Sequence, residues 1–130
     1  VIDIERIGDY TKNIYDLSKF YSKRLNGAEL EKDLAEVEKN VIALFQNSIK
    51  AFKEQDIELA RQLMKDYKEN ISKQSDKITN DIISGKINIE ADRATAIAMY
   101  SRYLKRIAAH SRNLISSIVN PFERIGYPEK

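Results

Sequence analysis

The sequence predicts an all-α fold, an antiparallel helical bundle. Three observations carry that reading. Only 4 Gly and 2 Pro interrupt 130 residues, while 42% of the chain is hydrophobic and 32% charged, a composition of helix formers with few breakers. Apolar residues recur at steps of three and four through four long segments, the period of one helix face. The segments are joined by short polar or Gly-containing links, which make long amphipathic helices antiparallel neighbours. No stretch alternates polar and apolar long enough for a strand.

The first helix is expected over residues 1–25. Ile7, Tyr10, Ile14, Leu17 and Tyr21 form its apolar stripe, and Asn26-Gly27 ends it with a glycine able to take the left-handed cap. The second is expected over 28–53, with Leu30, Leu34, Val37, Val41, Leu44, Phe45 and Phe52 inward. The polar link Lys53–Asp56 follows, and Asp56 is placed to cap the next helix. The third is expected over 56–84 on Ala60, Leu63, Tyr67, Ile71, Ile78 and Ile82, with a polar interruption at Gln74 and a stop at Ser84-Gly85. The fourth is expected over 89–119 on Ile97, Tyr100, Leu104, Ile107, Ser111, Leu114 and Ile118, and ends at Asn120-Pro121 because proline cannot continue the ladder. The tyrosines fall mostly on these stripes, as core and boundary residues. A tail over 121–130, with Pro121 and Pro128, cannot be another long helix.

The chain contains a degenerate internal repeat. Glu5-Arg6-Ile7-Gly8-Asp9 with Asn13 returns as Lys105-Arg106-Ile107-Ala108-Ala109 with Asn113, at a constant offset of 100 residues. Arg, the apolar positions and Asn persist, and both carboxylates are lost in the second copy. Glu5 and Asp9 stand one turn apart on the polar side of the first helix, with Asn13 and Asp16 on the same side. Two like charges at that spacing cost about a few tenths of a kcal/mol, which a cation between them would remove, and carboxylate oxygens suit hard divalent cations. Arg6 and Lys12 can neutralise Asp9 as well, so spacing alone leaves a solvated face and a metal site both open. Arg102, Lys105, Arg106 and Arg112 gather on the fourth helix, 102 with 106 and 105 with 112. That basic face is either solvated or a docking site for an acidic partner.

The stretch Asp3-Ile4-Glu5-Arg6-Ile7-Gly8-Asp9-Tyr10-Thr11-Lys12-Asn13-Ile14 resembles the signature of the PhoU family, phosphate-uptake regulators in which such a motif recurs once per three-helix repeat. On that resemblance, residues 1–25 are the last helix of one repeat and 26–130 a complete second repeat. The likeness includes Asp56-Ile57-Glu58-Leu59-Ala60, and His110 matches a family histidine. The resemblance implies a cytoplasmic, all-helical protein without enzymatic activity. It would act on a phosphate transporter and a sensor kinase by contact, as a homo-oligomer such as a dimer. It also implies a divalent or iron-type metal ion at Glu5 and Asp9, assisted by Asn13 or Asp16. The second copy departs, with Lys105 and Ala109 in place of the acids and Asp66 and Glu69 three apart rather than four. Arg102, Lys105, Arg106 and Arg112 are then the expected partner contacts.

Other functions fit less well. No Ser/His/Asp set, phosphate-cradling glycine loop or two-His metal motif is present, which argues against an enzyme. A net charge of +2 is too small to announce nucleic acid. No run approaches the ~20 apolar residues of a membrane span. Absence of Cys removes disulfides and thiolate sites and fits a reducing compartment. A start on Val inside a helical pattern points to a piece of a longer polypeptide. The alternative reading is a structural or oligomerisation bundle attached to another effector domain.

Overall fold

The computed structural model describes residues 2–20 and 30–119. Among these there are helices and no strand. Helix α1 spans Ile2–Phe20, α2 Glu31–Glu54, α3 Ile57–Asp66, α4 Lys73–Ile83 and α5 Ala91–Val119. A π-helical segment, Tyr67–Ser72, joins α3 to α4 without a break. The described residues thus form an all-α bundle of four helices, the third with a π segment inside it. The expected ends at Asn26-Gly27, Asn120-Pro121 and Tyr21 lie outside the described residues.

Local chemistry sets the described boundaries. Glu31 and Asp33 place negative charge in the first turn of α2, where the helix dipole favours it. Gln55 closes α2 in the left-handed conformation at φ 53°, its N–H reaching back to the carbonyls of Ala51 and Phe52. Asp56 caps α3, its carboxylate accepting the Leu59 N–H at 3.1 Å, as the sequence suggests. Gly85, at φ +80°, follows α4 at a position where a side chain would be strained.

Helix α5 is the hub, packed by α1, α2 and the α3–α4 helix. Ile97 and Ile115 are fully buried along it, as is Ala108. Val37, Leu44, Ile71 and Ile78 meet them from the other helices within one apolar cluster, each contributing roughly 1.5–3 kcal/mol by leaving water. Small hydroxyls let the backbones approach: Ser75 and Ser101 hydrogen-bond Oγ to Oγ at 2.8 Å between α4 and α5.

The third helix runs unbroken past Gln74 to Ile83, as expected, and Gln74 itself is exposed where the apolar side is interrupted. Leu63, Tyr67, Ile71 and Ser75 are all buried and lie four apart. An α-helix advances 3.6 residues per turn, so each such step swings the stripe about 40° off its face. The wider π winding absorbs the excess and keeps all four on the buried side of the bundle. Two expectations fail. Phe52 is 43% exposed, near the C-terminal end of α2, and Leu114 is only half-buried, on the edge of the α5 core stripe.

Candidate functional site

Helices α1 and α5 run antiparallel, because Asp3 meets residues 110 and 113 while Tyr10 meets 103 and 106. The candidate site residues lie on this pair. Glu5 and Asp9 are exposed on α1, and Asn13 and Asp16 are half-buried along the same side. Arg6 reaches the Asp9 carboxylate at 3.6 Å, with both side chains mostly exposed. A surface pair of this kind contributes at most about 1 kcal/mol, so Arg6 is one of the neutralisers the sequence offers. No group of three or more His, Cys, Asp or Glu that could hold a metal ion occurs among the described residues. Asp66 accepts a hydrogen bond from Gln62 at 3.0 Å and takes no part in such a group.

The four basic residues of α5 divide between two neighbours. Arg106 lies over the Tyr10 ring of α1 at 5.8 Å. Arg102, one turn before it, is exposed. On the other flank, Lys105 binds the Asp76 carboxylate of α4 at 2.6 Å. Arg112 lies over the Tyr67 ring of the π segment at 4.9 Å and donates to Asn113 Oδ1 at 3.0 Å. Arg102 and Arg106 therefore present charge along the α1–α5 seam, whereas Lys105 and Arg112 are spent on holding α5 to its own bundle.

One polar cluster goes beyond the sequence reading. Asp3 Oδ1 is 2.8 Å from His110 Nδ1 and accepts from Asn113 Nδ2 at 3.2 Å. Tyr10 stacks on the His110 ring at 5.9 Å. The signal was present: Asp3 stands one turn before Ile7 on the apolar stripe of α1, where an unpaired carboxylate would be costly. Its partners lie more than a hundred residues away in sequence, and only folding brings them to it.

Comparison with known proteins decides the family. The PhoU domain model matches residues 34–118, from the first turn of α2 to the last of α5. The chain belongs to the PhoU family. Over 119 residues it is 30% identical to the phosphate-specific transport system accessory protein PhoU homolog 1 of Thermotoga maritima, covering 90% of this chain and 51% of that protein. The chain thus spans about half the length of this curated relative. No solved structure matches it. The segment matched by the PhoU domain model contains Lys105 and Ala109, and leaves Glu5 and Asp9 outside it on α1. Among the described residues, no helix is long and apolar enough to cross a membrane.

Proposed function

We propose that this chain is part of a cytoplasmic regulator of phosphate uptake, without catalysis of its own, that acts by contact with a phosphate transporter or a sensor kinase. The PhoU domain match over 34–118 carries the reading, and the printed name of the Thermotoga maritima relative supports it. Residues 26–130 form one repeat and α1 is the last helix of a preceding one. Arg102 and Arg106 are the contact residues, because Lys105 and Arg112 are engaged within the bundle. Glu5 and Asp9, helped by Asn13 or Asp16, hold a divalent or iron-type metal ion weakly, since two carboxylates leave most of a six- to eight-oxygen shell to water or to a second copy. The assembled regulator is a homo-oligomer.

The test is binding of the wild type and of an Arg102→Glu, Arg106→Glu variant to the soluble fragments of the transporter and the kinase. The variant should keep its helical circular dichroism and lose affinity at least tenfold, about 1.4 kcal/mol. Unchanged binding of both proteins to either fragment would remove this surface from the mechanism.

A further inference from the structure

A hollow of about 140 Å³ opens between α2, α3 and the π segment. Its described lining takes nothing from α1 or α5, so it lies apart from the acid pair and the basic seam. The floor is apolar: Leu44, Leu63 and Ile71 are 2%, 6% and 1% exposed. The rim is polar. Asn40 and Asn47, two turns apart on α2, stand opposite Asp66 at the end of α3 and Asn70 in the π segment. A π segment inside an α-helix alters the local backbone pairing, and such segments recur at functional sites. Here Asn40 Nδ2 approaches the Asn70 carbonyl at 3.5 Å, beyond the ~2.7–3.2 Å of a well-formed hydrogen bond. A carbonyl has two lone pairs, and this long contact leaves room for a better donor.

The rim is rich in acceptors. Asp66 is the charged member of the lining, and its described hydrogen bond comes from the neutral amide of Gln62 at 3.0 Å. A carboxylate has about four lone-pair sites, so most of its capacity is open. The asparagine side chains add amide oxygens. An anion would meet the Asp66 charge and be repelled. A hard metal ion takes six or more oxygens, and an aliphatic floor supplies none on its inner side. A primary ammonium asks for three acceptors, and a short alkyl stem gains by covering the floor. A hollow of this volume holds a molecule about the size of benzene.

We propose that this hollow binds a primary alkylammonium group on a stem of about four or five carbons. The ammonium donates to the Asp66 carboxylate, the Asn70 carbonyl and an asparagine amide oxygen, and the stem lies over Leu44, Leu63 and Ile71. Two sources carry this group: a free small amine, and the end of a lysine side chain on another protein. Nothing in this reading depends on a transporter, a kinase or the acid pair of α1.

Asparagine side-chain amides of the intact gene product, labelled for nuclear magnetic resonance, report the site directly. Pentylammonium at neutral pH should shift the signals of Asn40, Asn47 and Asn70 saturably. Pentanoate, similar in shape and opposite in charge, should leave them in place. Asp66→Asn, which keeps an acceptor for Gln62, should weaken binding about tenfold or more. Glu36→Gln, on the exposed side of α2, should leave the affinity unchanged. No saturable shift with pentylammonium would overturn the proposal, as would equal shifts with pentanoate or full affinity in Asp66→Asn. Magnesium or calcium ions that bind there more tightly than the amine would assign the hollow to a metal and overturn it too. Nα-acetyl-lysine methylamide separates the two sources, and either result keeps the ammonium: competition with pentylammonium admits a lysine side chain, and its absence restricts the site to a free amine.

Discussion

Tyr10 and His110 stack with ring centroids 5.9 Å apart and planes 22° from parallel, and they are the same position in the two copies of the repeat. The contacts around them interchange accordingly. Asp3 meets His110 and Tyr10 meets Tyr103, the same pair of positions with the copies exchanged. Two antiparallel helices related by a local two-fold produce this pattern, and the stack lies on its axis. The copies have diverged in chemistry while keeping the geometry: an acid–histidine pair on one side, a pair of tyrosines on the other.

Asp3→Ala should destabilise the bundle by ~1–3 kcal/mol, because it removes the shared acceptor of His110 and Asn113 from a part-buried site. Combined with His110→Ala, the loss should be smaller than the sum of the single losses, since both changes act on one network. Urea unfolding of the four proteins of the cycle measures this directly, and strict additivity would show that the pair contributes nothing jointly.

Ile115→Ala should cost about 2–5 kcal/mol, the usual range for emptying a buried aliphatic position. Phe52→Ala should stay within roughly 0.5 kcal/mol, as a surface change does. Both lie on apolar helix spacing in sequence, so their midpoints in denaturant separate the packed stripe from its exposed end.

Tyr100 donates to Glu38 Oε2 at 2.6 Å. Burial, then the hydrogen bond and charge of Glu38, push its hydroxyl well above the usual tyrosine range. A raised folded-state pKa means that the stabilisation is fully present below the unfolded value near 10 and is lost as pH rises from there through the folded value. Tyr100→Phe should therefore lower stability at neutral pH and flatten the decline above pH ~10. Thermal melts from neutral to alkaline pH check the sign; parallel curves for the two proteins would contradict it.

The two described glycines should respond in opposite directions. In the 130-residue chain Gly8→Ala should raise stability by roughly 0.4–1 kcal/mol, because alanine fits the helix and restricts the unfolded chain. Gly85→Ala should lower it by about 1 kcal/mol or more, since its φ of +80° strains any side chain. Melting temperatures of the two variants suffice to compare them.

Calorimetric titration with divalent ions should show weak binding that Asp9→Ala abolishes. Changes at Asp66, Glu69 or His110 should leave it unaltered. Tight binding that survives Asp9→Ala would place the ligands elsewhere, and no heat with the wild type would leave Glu5 and Asp9 a solvated face.

Most of the helical frame was legible because it is written in local terms. The break at Lys53–Asp56, the Asp56 cap and the stop at Gly85 each depend on a few neighbouring residues. The acid pair and the basic cluster were legible as candidates, since spacing alone puts Glu5 with Asp9 and Arg102 with Arg106 on common faces. Which of the four cations are committed within the bundle was not legible, because Asp76 and Tyr67 reach Lys105 and Arg112 only through packing. The π segment was written in the four-residue steps from Leu63 to Ser75, but those steps acquire meaning only when a neighbouring helix requires one face.

The sequence by itself determined that this protein is helical, where most of its helices break, and that two of them are copies of one motif. Those properties follow from periodicity, capping and residue identity along the chain. The tertiary structure alone decided that the two copies pack face to face, that Asp3 pairs with His110, and that α5 is enclosed while α1 keeps one face open. These depend on which surfaces meet, and burial is a property of pairs of surfaces: the same stripe is core on α5, where two helices cover it, and surface on α1, where none of the described helices does.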